Sequence, residues 1–145
     1  MLARPLEKTD YDQIVTVIDK WSGGPSAVLA HPVFFHELGT LAKVVEHEGS
    51  LVGFLFGFIS ERKPTQGYIH VFGIHPEYRR RGVGKALFSS FEQDCREKSC
   101  IFLRSITLPG NDNVVSFHLS QGFTSSVIDD YAGPGRPRVV FEKRL

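Results

Sequence analysis

The chain has 145 residues, 41% hydrophobic and 23% charged, a globular balance that excludes disorder and suits one domain spanning 1–145. Its net charge of +1 gives no whole-molecule attraction to nucleic acid or anionic membrane, so any basic site must be local. Cys95 and Cys100 are too few for a disulfide framework or a zinc ribbon, and the longest apolar run, Leu51 to Ile59, is too short for a membrane helix of about 20 residues.

The opening residues, MLARPLEKTD, carry acids early and lack an apolar signal core, so a soluble cytoplasmic protein with free thiols is expected. Residues 1–6 read as a short strand. Thr9 then suits a helix cap, with Asp12 as its capping-box partner. Tyr11, Ile14, Val15 and Ile18 recur on one helical face that Trp21 continues, and Ser22-Gly23-Gly24-Pro25 should end it. Residues 31–39 suggest a second short helix with Pro32 near its start.

Leu41 to Glu46 and Leu51 to Ser60 read as strands joined by a turn at Glu48-Gly49-Ser50. The second is apolar on both faces, as a central strand should be. Tyr68 to Ile74 is a third strand, and Gly73 inside it marks a bulge or a close approach. Gly82 to Lys98 is a helix with Leu87, Phe88, Phe91 and Cys95 as its buried stripe; Glu92–Arg96 and Asp94–Lys98 are acid-before-base pairs on its outer side. Cys100 to Thr107 is a strand, Asn111 to Gln121 a helix ended by Gly122, and Phe123 to Ile128 and Arg138 to Lys143 closing strands. The crossover from the Tyr68 strand through the Gly82 helix to the Ile101 strand predicts one parallel pair in a mostly antiparallel sheet.

The chemistry concentrates in YIHVFGIHPEYRRRGVGK, residues 68–85. A strand runs into a turn, then Arg79, Arg80, Arg81, Gly82, Val83, Gly84 and Lys85 enter a helix. The first turn of a helix has unpaired N–H groups and a partial positive charge. Glycines let a phosphate approach the backbone and the cations attract it, which is what a pyrophosphate needs. A Walker A loop does not fit, because Ala86 follows Lys85; the dinucleotide fingerprint does not fit, because position 87 is Leu. An RNA-recognition motif would want aromatics after Arg81-Gly82 and finds Val83 and Gly84. A solvated basic turn is the plain alternative.

Arg79-x-x-Gly82-x-Gly84 resembles the acetyl-CoA motif of the GNAT superfamily of N-acetyltransferases, and Gly73 to Tyr78 resembles the lead-in to it. Asn111, His118 and Gly122-Phe123 are similar to that family's Asn, Tyr and Gly-Phe segment at the same separations. The resemblance implies an α+β, three-layer fold: a mixed, mostly antiparallel sheet of six to seven strands, a central parallel pair splayed for coenzyme A, and helices on both faces. It implies acetyl transfer from acetyl-CoA to a primary amine by direct attack, without a metal. Backbone N–H groups from Arg79 to Lys85 would hold the pyrophosphate. Phe72, Gly73 and Ile74 would line the pantetheine arm, with the Ile74 N–H polarising the thioester carbonyl, and Asn111 would contact the arm.

His118 stands where many members have a Tyr that protonates the departing thiolate. An imidazole of ordinary pKa, about 6.5, is protonated roughly a quarter of the time at pH 7 and could do the same. The alternative is a core histidine, three and four residues after Val115 and Val114. The family often places a Glu on the strand corresponding to Tyr68–Ile74; this strand has none, which leaves His70, Glu37, Glu61 and Asp129 as candidate bases. The resemblance implies an acceptor site built from Trp21 to Gly24, His31 to Glu37 and Ser125 to Pro137. It does not choose among small-molecule and peptide amines, between acetyl and longer acyl groups, or between a monomer and a homodimer. The rival readings are an acyl-CoA sensor without turnover and a nucleic-acid binder using Arg79–Arg81; the low net charge opposes the second.

Overall fold

The computed structural model describes residues 1–22 and 27–145, so the expected helix end at Gly23-Gly24-Pro25 lies outside it. Among the described residues, seven strands form one sheet in the order β1-β2-β3-β4-β5-β7-β6. They are β1 Ala3–Pro5, β2 Lys43–His47, β3 Ser50–Ile59, β4 Gln66–Ile74, β5 Phe102–Thr107, β6 Thr124–Ile128 and β7 Arg138–Arg144. Among these strands only β4 and β5 pair in parallel. The helices are α1 Lys8–Ser22, α2 Val33–His36, α3 Val83–Glu97 and α4 Asp112–Ser120. The expected second helix over 31–39 is one turn of α-helix, flanked by 3-10 turns at Ala27–Ala30 and Gly39–Leu41.

Tyr11, Ile14, Ile18 and Trp21 of α1 bury against Val44, Phe54 and Phe56 on one face of the sheet. Val15 lies off that stripe and is exposed. The other face carries α3, whose Leu87, Phe88, Phe91 and Cys95 pack against Leu55, Ile69 and Leu103. Val114, Val115 and Phe117 of α4 join this second core.

The cap of α1 differs from expectation. Glu7 precedes the helix, and the Asp10 carboxylate accepts its N–H at 2.8 Å. Asp10 also takes both guanidinium nitrogens of Arg4. Asp12 instead pairs with Lys8 on the surface. Likewise Glu92 pairs with Arg96 as expected, whereas Asp94 pairs with the buried Lys43 of β2.

The bulge in β4 lies at His70, not at Phe72-Gly73. Phe56 pairs with Val71 and Gly57 with Ile69, which leaves His70 as the extra residue. The bulge resets the alternation: Ile69 and Phe72, three residues apart, both meet the α3-side core, while Val71 meets the α1-side core. Gly73 answers to close approach. A Cβ there would sit 2.5 Å from the Phe54 ring.

Candidate active site

β4 and β5 are paired only from Gln66↔Phe102 to Ile69↔Ser105. Beyond Ile69, β4 continues to Ile74 beside β3, and β5 continues to Thr107 beside β7. The two strands therefore diverge, and the β5-facing edge of β4 around Phe72 and Ile74 has no strand partner. His75 donates its N–H to Val52 of β3. By strand alternation the N–H of Ile74 then faces the opening.

Past β4 the chain makes a single 3-10 turn, Pro76–Tyr78, and enters α3 through Gly82. Gly82 is left-handed, with φ +85°, and a Cβ on it would meet nothing within 4 Å. No side chain caps α3, and the first intrahelical bond is Ala86 N–H to Gly82. The N–H groups of Val83, Gly84 and Lys85 thus face open space beside the end of β4. Gly84 is glycine for another reason: a Cβ would lie 2.8 Å from Phe117 and 3.0 Å from Ile74.

Not all four cations of the loop serve this space. Arg79 donates to the Trp21 carbonyl at the end of α1, tying that helix to the loop. Arg81 lies over the Tyr78 ring. Lys85 lines a polar groove between α3 and α4 with Arg96, Gln121 and Lys143. Asn111 sits immediately before α4 and donates from Nδ2 to Thr107 Oγ1 at 2.9 Å, which pins the start of α4 to the end of β5.

His118 is fully buried. Its ring stacks on Phe141 at 3.8 Å and meets Phe72, Phe88, Phe117 and Phe123 edge-on. Nδ1 bonds the Val114 carbonyl at 2.9 Å, which makes it the protonated nitrogen, and the buried Nε2 has no partner among the described residues. Burial pushes this imidazole down to about 4, against a smaller opposing effect of the Val114 bond. The quarter-protonated acid expected at pH 7 becomes about one molecule in a thousand.

On the opposite face of β4 the His70 ring stacks on Phe34 at 3.7 Å and bonds the Leu29 carbonyl through Nε2 at 2.8 Å. Burial lowers its pKa as well. Glu37, Glu61 and Asp129 are exposed. Nearby, Phe58, Ser60, Arg62, Lys63, Gln66, Tyr68, Arg104 and Tyr131 surround a hollow at the paired end of β4 and β5. Of these, only Tyr131 belongs to the segments that the resemblance implied for the acceptor site, Trp21 to Gly24, His31 to Glu37 and Ser125 to Pro137. Of the residues it expected there, Trp21 packs into the α1-side core, and Asp130 accepts the Gly135 N–H within its own turn. The missed signal was the alternation of Gln66 and Tyr68, which face away from the α3-side core.

Both thiols lie beneath the sheet with raised pKa values, Cys95 at about 12, chiefly through burial. Neither is an activated nucleophile. Among the described residues no group of His, Cys, Asp and Glu could hold a metal, and no helix is long and apolar enough to cross a membrane.

Residues 7–123 match the model of the acetyltransferase (GNAT) family. The chain belongs to that family. An acetyltransferase of Sodalis glossinidius is 31% identical over 75 residues, 52% of this chain and 51% of that protein. The chain thus spans about half the length of the curated relatives it matches. Among solved structures, Ard1 from Thermoplasma volcanium superposes with a TM-score of 0.81 at 22% identity, covering 99% of this chain and 96% of the other. An aminoglycoside 6′-N-acetyltransferase complexed with coenzyme A gives 0.75 at 16% identity, covering 99% and 97%. At these identities the likeness establishes the GNAT fold: one mostly antiparallel sheet, with its parallel pair splayed and helices on both faces.

Proposed function

We propose that this GNAT protein transfers the acetyl group of acetyl-CoA to a primary amine by direct attack in a ternary complex. The observation that carries this reading is the divergence of β4 from β5 beside the open first turn of α3. The unpaired edge of Phe72, Gly73 and Ile74 would bond the amides of the pantetheine arm as a neighbouring strand does. The N–H groups from Arg79 to Lys85 would hold the pyrophosphate, with Arg80, Arg81 and Lys85 supplying charge. The open space around Gly82 suits a phosphate at the backbone. The Ile74 N–H would polarise the thioester carbonyl, and Asn111 would border the arm. Coenzyme A, when bound, supplies the activated acyl group.

His118 is assigned here to the aromatic packing around the cleft rather than to protonation of the thiolate. Its only proton is committed to Val114, and an imidazole at about 4 gives up no second one at neutral pH. Thiolate protonation then falls to the attacking amine or to water.

Purified protein, acetyl-CoA and pooled amines, followed by thiol release, should show turnover. Gly82→Glu puts a carboxylate into the phosphate space and should reduce coenzyme A affinity by at least tenfold, measured by calorimetry. Unchanged affinity would overturn the placement. One observation favours an acyl-CoA sensor instead: β4 carries no carboxylate to deprotonate an amine. Thermal stabilisation by coenzyme A without turnover on any amine would select that reading.

A further inference from the structure

We propose that the hollow at the paired end of β4 and β5 is a binding site for a carboxylate carried on an aromatic or apolar body. The register of the sheet builds its floor. Phe58 pairs with Tyr68, Tyr68 with Arg104, and Arg104 with Glu142, so the four lie abreast across β3, β4, β5 and β7. The turn between β3 and β4 adds Arg62 and Lys63, and the β6–β7 connection adds Tyr131. The space they surround is about 260 Å³.

This site is separate from the cleft and does not depend on the acetyl-transfer reading. Tyr68 and Ile74 are six residues apart on β4, about 20 Å of strand at roughly 3.3 Å per residue. The two places also use different faces of the sheet. The Phe58 ring stacks on Phe34 of α2 at 6.2 Å, on the α1 side, whereas α3 packs on the other.

The walls are aromatic and the charge is positive. The Phe58 and Tyr68 rings lie 5.4 Å apart and suit a ring or an aliphatic group. Arg62, Lys63 and Arg104 line the hollow, and no acid does. Glu142 engages Arg104 from β7 through one guanidinium nitrogen. Arg62 and Lys63 have no ion pair among the described residues. Glu61, Asp129 and Asp130 are close in sequence, yet none of them lines the space.

Several polar groups here lack partners. The side chains of Gln66, Tyr68 and Tyr131 make no hydrogen bond among the described residues, and the buried Nε of Arg104 has none either. Burial, reinforced by Tyr131 and opposed by Arg104, pushes the Tyr68 phenol up to about 12. It therefore keeps its proton at pH 7 and can donate it in a hydrogen bond. A carboxylate accepts from phenol, amide and guanidinium alike, and the two uncompensated cations attract it. The same cations repel an ammonium. The hollow thus reads a second group on an amine acceptor, or a separate ligand, and not the amine.

The probes are phenylacetate and phenylacetamide, which share a ring and a shape and differ in charge, titrated into the protein and followed by its amide NMR shifts. Phenylacetate should bind with a Kd on the order of millimolar, about tenfold tighter than the amide, and move the amides of Phe58, Tyr68 and Arg104. The double variant Arg62→Gln, Lys63→Gln changes two exposed side chains and should bring the two probes within a few-fold of each other. No binding, equal affinity of the two probes for the parent, or shifts confined to Val83–Lys85 would overturn the site. Turnover then distinguishes the sources of the carboxylate. With Gly-Ala-Glu and Gly-Ala-Gln amides as acceptors, a several-fold lower KM for the acidic peptide, lost in the double variant, makes the carboxylate part of the acceptor. Equal KM values, with phenylacetate still bound, make it a separate ligand. Turnover on no amine would sink the acetyltransferase reading and leave the probe result standing.

Discussion

A neutral imidazole walled in by Phe72, Phe88, Phe117, Phe123 and Phe141 costs the fold stability as the medium acidifies. His118 titrates near 6.5 in the unfolded chain and at about 4 in the folded one. Between those values the unfolded state binds more protons. Stability present above pH 6.5 is therefore lost as pH falls toward 4, about 2 kcal/mol of it between pH 7 and 5. His118→Phe removes the titrating group and the orphaned Nε2. Urea unfolding at pH 7 and pH 5 should show the parent weakening more than the variant by about that amount. Equal weakening would mean that the ring titrates normally in the fold. Turnover by His118→Phe within a few-fold of the parent would agree with a packing role. The sequence left acid and core readings equally open here, because the choice depends on burial by residues from β4, α3 and β7.

At the scale of elements, α3 reaches the end of β4 because three glycines give it room. A Cβ on Gly53 would lie 2.4 Å from Val83, on Gly57 2.4 Å from Phe91, and on Gly67 2.5 Å from Cys95. Gly57→Ala would also crowd the Tyr68 carbonyl at 3.0 Å, which is backbone and cannot swing aside. The variant should lose about 1–3 kcal/mol of stability, read by chemical denaturation; no loss would mean that α3 has slack against the sheet. The helix itself was legible in the sequence, as were the central strands, because each declares its buried face by periodicity. Partners distant in sequence were not. Asp94 meets Lys43 of β2, and the α1 cap depends on Arg4 as well as Glu7 and Asp10. Gly73 was read as a bulge or a close approach and is the latter, its smallness reflecting Phe54, while the residue that bulges, His70, has no local mark.

Across the whole molecule the loop proposed to hold the pyrophosphate, Arg79 to Lys85, could be named from the sequence because its parts are contiguous. The hollow at the paired end of β4 and β5 was not, since Phe58, Tyr68, Arg104 and Tyr131 come together only when β3, β4, β5 and the β6–β7 connection are assembled. Among the described residues, four pairs, Gln66 to Ile69 with Phe102 to Ser105, are the only strand pairing that joins β1–β4 to β5, β7 and β6. That short seam divides the sheet into two panels hinged at one end. Coenzyme A lying in the divergence would act as a clasp across the hinge. On this view its binding tightens panel against panel: the melting temperature should climb with ligand concentration, by the equivalent of about 2.7 kcal/mol at a hundred times Kd. Amide protons of β5 and β7, the panel with fewer strands beneath α3, should gain the most exchange protection.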